Sequence, residues 1–300
     1  MSDPSNPLVF NRPRLSARRD RARLSYSSVD FLKKRVAEDI LDRISLTKRH
    51  FPMALELGAG HSDMRDLLGD YTDNVVLSDG SPNIAASLSS PAISADEEWL
   101  PFKEASFDLI VSGLSLQWVN DLPGTLIQIK RALKPDGYFV AALPGGASLS
   151  ELRQVLLQAE TEITGGAEMR VSPFADALDL SQLLQRAGLT LPVSDRDRLT
   201  LRYDNMFALL KDLQAAGETH SPFLSGRRPL SMRILMRAAE LYQQMFSDDD
   251  GRIRATVDIL WMTGWAPHPD QPKPARRGSG KVSLAEAVGS KEKSAGEKAG

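Results

Sequence analysis

Between residues 29 and 44, Phe31, Leu32, Val36, Ile40 and Leu41 fall at helical spacing and predict an amphipathic helix. The period then shortens. Residues 53–57 form a brief apolar run stopped by Gly58 and Gly60, which predicts a buried strand and a tight turn. A helix resumes over 63–68. Residues 74–78 predict a second strand, and Ser81-Pro82 a helix start with serine as cap and proline in the first turn. Further along, 107–112 reads as a strand, 121–133 as a helix, 134–137 as a turn and 138–143 as another strand. Strands alternating with helices in this way predict an α/β fold, with a parallel sheet covered on both faces.

The second half reads differently. Residues 149–163 and 178–187 look helical, 198–203 alternate like a strand, 205–216 and 231–246 are helical, and 253–261 predict a last strand. We expect a helical insertion at about 149–187 and further helices within 204–246. From 266 to 300 proline, glycine, lysine and serine dominate. Such a segment buries too little apolar surface to offset its ordering entropy, so a flexible tail is expected. The expected organisation is a basic arm over 1–28, a domain over 29–265 and the tail.

Composition removes several function classes. The chain has 300 residues, 42% of them hydrophobic, and a formal net charge of -2, which gives no global attraction to nucleic acid. No apolar run approaches the roughly 20 residues that span a bilayer. With no cysteine, disulfides, thiolate metal sites and a cysteine nucleophile are excluded. His50, His61, His220 and His268 show no metal-ligand spacing, so no metal is expected. Arg12, Arg14, Arg18, Arg19, Arg21 and Arg23 crowd the arm. Asp3 and Asp20 interrupt them and no apolar stretch precedes them, so the arm reads as part of the mature protein rather than a presequence. It is expected to contact a lid or a partner.

Candidate chemistry begins at Leu55-Glu56-Leu57-Gly58-Ala59-Gly60. Glycines there accept unusual dihedrals and leave backbone bare for a ligand. Ser62 replaces the third glycine of a pyrophosphate site, and Glu56 would repel phosphate, so a cationic or hydroxyl-bearing ligand fits better. A plain tight turn is the alternative. Asp79, followed by Gly80, ends the second strand, where a carboxylate can accept both hydroxyls of a ribose; capping the next helix is its other reading. Asp96 can accept an adenine amino group, with the backbone N–H beside it, at Glu97, serving a ring nitrogen. A solvated acidic loop is the alternative. Ser112 closes a central strand and is expected to face the reacting end of the ligand. Gln117 and Trp118 are candidate walls of a substrate pocket; packing against a helix is the alternative for Trp118. Arg153 either meets a substrate carboxylate or pairs with Glu151 on a helix surface. No catalytic acid or base is nominated, because methyl transfer needs alignment and exclusion of water more than proton transfer.

The order acid-x-Gly-x-Gly, Asp79, Asp96 and a strand ending at Ser112, with the LPF and LKPDG segments, resembles class I S-adenosylmethionine-dependent methyltransferases over about residues 51–143. The resemblance implies a Rossmann-like seven-stranded sheet and S-adenosyl-L-methionine as cofactor. Glu56, Gly58 and Gly60 would face its methionine part, Asp79 and Gly80 its ribose, and Asp96, Glu97 and Ile84 its adenine. A wider resemblance rests on VFNRPRLSARRDRARL, ADEEWLPFKEASFDLIVSGLSLQWVNDLP, GGASLSELR, AETEITGG and MFALLKDLQAAGE. It is to the complex I assembly factor 5 family, implicated in hydroxylating an arginine of a complex I subunit. Next in similarity is the biotin-synthesis enzyme that methylates a malonyl group on acyl carrier protein. These resemblances imply a methyltransferase with an unidentified acceptor, or alternatively a protein-arginine hydroxylase, or a non-catalytic assembly factor that binds the cofactor. The partner would be a protein, such as a complex I subunit, or a carrier-bound small molecule. Since the similarity of the arm starts at Val9, a bacterial cytoplasm is expected, or the mitochondrial matrix in a eukaryote.

Overall fold

Seven strands build the sheet: β1 (Phe51–Leu57), β2 (Thr72–Asp79), β3 (Ala92–Ser94), β4 (Phe107–Gly113), β5 (Leu133–Pro144), β6 (Thr190–Tyr203) and β7 (Ile253–Trp265). Their order is β3-β2-β1-β4-β5-β7-β6. The pairs from β3 across to β5 are parallel, while β7 runs antiparallel to both β5 and β6. The computed structural model describes residues 8–61, 64–89, 91–219 and 229–272, with 279, 283 and 287–290 beyond them. Most of the expected tail lies outside the described residues.

The parallel strands are covered on both faces, which explains their unbroken apolar runs. On one face Leu55, Ile110 and Phe139 pack with Leu126 and Ile129 of α5 (Leu122–Ala132) and Leu180 and Leu184 of α7 (Ala177–Arg186). On the other, Ala54, Leu109 and Val140 meet Val36, Ile40 and Ile44 of α2 (Phe31–Leu46). The short helices α3 (Arg65–Leu68) and α4 (Pro82–Ser87) follow β1 and β2. Asp121 caps α5 by accepting from Gly124 N at 2.9 Å. Ser81 caps α4 by accepting from Ile84 N at 3.3 Å.

The insertion has a core of its own. Leu152, Val155 and Leu156 of α6 (Ser150–Thr164) pack with Met206 and Leu209 of α8 (Met206–Ala215), and with Ile234, Leu241 and Tyr242 of α9 (Met232–Phe246). This core reaches the sheet through Ile253 and Ala255 of β7.

Three features differ from the sequence expectation. The turn at 134–137 lies inside β5 as a bulge: Phe107 pairs with Leu133 and Leu109 with Tyr138, and Asp136 takes a φ of 63°. The edge strand β3 has three exposed residues, too few for any period to show. The first helix, α1 (Arg12–Ala22), belongs to the arm, which lies in the same compact unit as the sheet, Met1–Pro267. Only Leu15 and Ala22 of α1 are buried apolar residues, so no helical stripe announces it.

Chain order reverses between β1 and β4. Ligands of open α/β sheets sit at such a reversal, outside the carboxyl ends of the strands. Gly58 and Gly113 mark those ends here.

Candidate cofactor and substrate site

Gly58 and Gly60 hold φ values of 71° and 68°, where side chains with a Cβ are strained. The two glycines face different surroundings. A Cβ at Gly58 would stand 2.0 Å from Ser115 Oγ and 3.1 Å from Glu97 Oε1, whereas one at Gly60 would meet nothing within 4 Å. The bare backbone that can receive a ligand is therefore at Gly60. Glu56 is fully buried and accepts from Met64 N at 2.7 Å, which braces the loop after β1. Its Oε1 is 3.8 Å from Lys33 Nζ. That ammonium donates to Gly113 O at 2.7 Å, bridging the ends of β1 and β4. Burial pushes Lys33 below its ordinary value, against the pull of Glu56. The sequence reading passed over Lys33. Its signal was a lysine inside the apolar stripe of α2, with Val36, Ala37 and Ile40.

The carboxylates gather along the same rim. Asp79 is buried and accepts from Gly60 N at 3.0 Å and Ser81 N at 2.8 Å. It braces the turn, while the cap of α4 is Ser81. Burial raises the Asp79 carboxyl, with Arg19 pulling the other way. Glu97 is buried and accepts from Ser115 Oγ at 2.8 Å and from Arg12. Burial alone would raise it, but Arg12 and its hydrogen bonds hold it below the usual glutamate range. Asp96 is half exposed and 2.9 Å from Arg12 Nη2. A Cβ at Gly80 would lie 3.4 Å from Glu97 Oε2, so Gly80 keeps that corner narrow. Ile84 is fully buried on the cavity wall. Ser112 does not reach the cavity. Its hydroxyl donates to Leu57 O at 2.8 Å, because β4 presents that side chain to β1.

The arm roofs this crevice. Asp20 accepts from Ser81 Oγ at 2.5 Å and Asn83 Nδ2 at 2.8 Å, which fixes α1 to the β2 side. On the opposite side Arg18 donates to Thr219 O at 2.9 Å, and Ser25 Oγ to Ala215 O at 3.2 Å. Gly217, at a φ of 74°, lets α1 sit close: a Cβ there would be 3.1 Å from Arg19 Cα. Phe10 stacks edge-on against Trp118 at 5.2 Å between centroids.

Beneath the roof lies a cavity of about 170 Å³, running from Gly58, Gly60 and Gly113 to Leu201, Leu209 and Leu213. Its walls are largely apolar. Gln117 and Trp118 both line it. Arg153 does not. It donates to Gly146 O, Ser148 O and Ser172 O at 3.3–3.4 Å, neither meeting the cavity nor pairing with Glu151. The acids of the cavity are Asp212 and Glu218. Asp212 hydrogen-bonds Tyr203, whose phenol is pushed up to about 12 by burial and then by that carboxylate. Glu218 accepts from Arg19 Nε at 3.1 Å, Arg19 Nη2 at 2.8 Å and Trp118 Nε1 at 2.5 Å. Burial opposes the charge on Arg19, but Glu218, Asp79 and Glu97 together hold it above its ordinary value.

The rim fits S-adenosylmethionine. Open backbone at Gly60 meets carboxylates that have lone pairs to spare for hydroxyls and an exocyclic amine. Among the described residues no group of three or more potential metal ligands occurs, and His220 and Ser62 lie outside them.

Comparison with known proteins agrees with this geometry. Residues 55–141 match the model of a methyltransferase domain. Over 287 residues the chain is 39% identical to arginine-hydroxylase NDUFAF5, mitochondrial, of Danio rerio, covering 93% of this chain and 89% of that protein. It is 30% identical over 278 residues to malonyl-[acyl-carrier protein] O-methyltransferase of Methylovorus sp. strain MP688, covering 86% and 90%. The fold matches the YcgJ protein of Bacillus subtilis with a TM-score of 0.52 at 15% identity, covering 75% of this chain and 97% of that one.

Proposed function

Because the chain belongs to the arginine-hydroxylase NDUFAF5 family, built on the class I methyltransferase fold, we propose that it is an S-adenosylmethionine-binding enzyme that hydroxylates an arginine side chain of a protein. The observation that carries this reading is the cavity. Apolar walls suit the methylene stem of an arginine, and Asp212 and Glu218 offer acceptors for its cation. A malonyl carboxylate would need a cation directed at it, whereas Arg153 is spent on backbone carbonyls, Lys33 on Gly113 O and Arg19 on Glu218.

Hydroxylation places one oxygen atom of molecular oxygen on arginine and reduces the other to water with two electrons from an external reductant. The cofactor, when bound, would bring its sulfonium and methyl group beside the substrate pocket. Asp79 would accept the ribose hydroxyls and Asp96 the adenine amine, with Ile84 packing on the base. Gly60 gives bare backbone to the methionine part, and Glu56 holds the loop through Met64 N. The arm and the 215–219 loop exclude water from the reacting ends. The partner we favour is a respiratory complex I subunit, following the family resemblance. The compartment is a bacterial cytoplasm, or the mitochondrial matrix in a eukaryote. Among the described residues no helix is long and apolar enough to cross a membrane.

A second reading, methyl transfer, is favoured by the match to the methyltransferase domain. Mass spectrometry of arginine-bearing complex I peptides incubated with the protein, labelled cofactor, molecular oxygen and a two-electron donor separates the two. Gain of one oxygen on arginine is the expected result, and transfer of the labelled methyl group would favour the second reading. Neither product would overturn both and leave the non-catalytic assembly role, in which Gly60→Arg, at the open backbone, should block cofactor binding and spare assembly.

A further inference from the structure

Arg19 sits where a substrate arginine would have to go. It belongs to α1, and its guanidinium reaches across to Glu218, which follows α8. Both line the cavity that opens onto Gly58, Gly60 and Gly113, the strand ends at which the cofactor would be held. The Arg19 side chain is 12% exposed and that of Glu218 29%. The Glu218 carboxylate is oriented from behind by Trp118 Nε1 and, at 3.4 Å, by Gln117 Nε2. Beside it the carbonyl oxygen of Gln117 is buried and receives no hydrogen bond. Buried acceptors without donors are uncommon, and a guanidinium brings five donors in a planar fork. The site thus holds one carboxylate with a cation on it and a second acceptor that this cation does not satisfy.

We propose that Glu218, with the Gln117 carbonyl oxygen beside it, is the receptor for the substrate guanidinium, and that Arg19 occupies it until substrate displaces the arm. This rests on the reading of the protein as an arginine-modifying enzyme. Arg19 already holds Glu218, so a substrate guanidinium takes that place only if Arg19 withdraws, as it does when α1 lifts. Lifting withdraws Arg19 and leaves Glu218 without its cation, an unfavourable state for a largely buried carboxylate. An incoming guanidinium restores the pair and also supplies a donor to Gln117. A neutral or anionic side chain does neither, so the same exchange selects the substrate. While the arm is shut, the fraction of open molecules divides the apparent affinity for substrate.

The probe is N-acetyl-arginine amide, with its neutral citrulline counterpart as control, binding to the full chain. In the unaltered protein, saturating arginine probe should speed hydrogen exchange of the α1 amides by about tenfold or more, whereas citrulline should not. Unchanged exchange at saturation overturns the proposal. Arg19→Met should bind the arginine probe about tenfold more tightly than the parent chain, and adding Glu218→Gln should abolish that gain. No gain, or a gain that survives Glu218→Gln or extends to citrulline, overturns it as well. Gly217→Ala keeps both charges and presses on α1, so it should shift affinity in the same direction as Arg19→Met and serves if that variant does not fold. Probe exchange without any modified arginine peptide would sink the proposed activity alone. Modified peptide without probe exchange would sink the receptor alone.

Discussion

The floor and the roof of the crevice are held by different physics. The floor is the ends of β1, β2 and β4, locked by backbone ladders and by side chains with no solvent exposure, such as Leu55, Leu109 and Ile110. The roof is α1, which buries little apolar surface and is held by Arg12, Arg18, Arg19 and Asp20. A floor of this kind opens only with the whole sheet. A roof of this kind can open at the cost of a few polar contacts, which are replaced by water as they break. The geometry that must stay fixed for binding and the part that must move for entry are thereby separated.

The contrast can be broken from either side. Phe139→Ala, in the fully buried floor, should lower the unfolding free energy by about 3–5 kcal/mol in chemical denaturation. Exchange protection of α1, set by its own local opening, should stay unchanged while that of the sheet falls. If α1 loses protection in step with the sheet, floor and roof are one cooperative unit.

Arg12→Met should act the other way. Breaking a buried pair costs about 3–5 kcal/mol, but the arm can release and let water reach Glu97, so the global loss should fall below that range. Local exchange in α1 should rise sharply. The pair also fixes a pH response. Arg12 holds folded Glu97 below its unfolded value, so its contribution is fully present above the ordinary glutamate range and is lost as pH falls through the lowered folded value. In Arg12→Met that pull is gone, so the loss of stability from this group on acidification should shrink. Unfolding midpoints recorded against pH for both proteins test the difference.

Ser112→Ala should have the smallest effect, about 1 kcal/mol for the hydroxyl that donates to Leu57 O. Cofactor affinity measured by calorimetry should not move. A large loss of affinity would return Ser112 to the ligand role expected of it from the sequence.

The floor was legible in the sequence because its signals are local. Continuous apolar runs, Gly58, Gly60 and the acids Glu56 and Asp79 at the ends of β1 and β2 lie within short windows. Asp79, Asp96 and Ile84 were nominated in that way; the two aspartates line one crevice with Arg12 and Arg19, and Ile84 lines the cavity that shares Arg19 with it. The roof was visible only as a crowd of arginines. Nothing near Arg19 in the chain indicates Glu218, since the pair is 199 residues apart. Lys33 was missed because a helical stripe is read for its apolar members, and the misfit among them went unweighed. Ser112 and Arg153 were misplaced for a related reason. A strand or helix position fixes where a Cα lies, while the nearest carbonyl oxygen decides where a hydroxyl or guanidinium points.

Trp118 has one further consequence. Its ring lies against Phe10 of the arm, and its N–H is given to Glu218. Raising α1 strips that indole of an aromatic neighbour and rearranges the charge at its nitrogen in one movement. The protein therefore contains an intrinsic fluorophore at the hinge of its own gatekeeping, and emission from this ring should report, without any label, whether the chamber is shut or open.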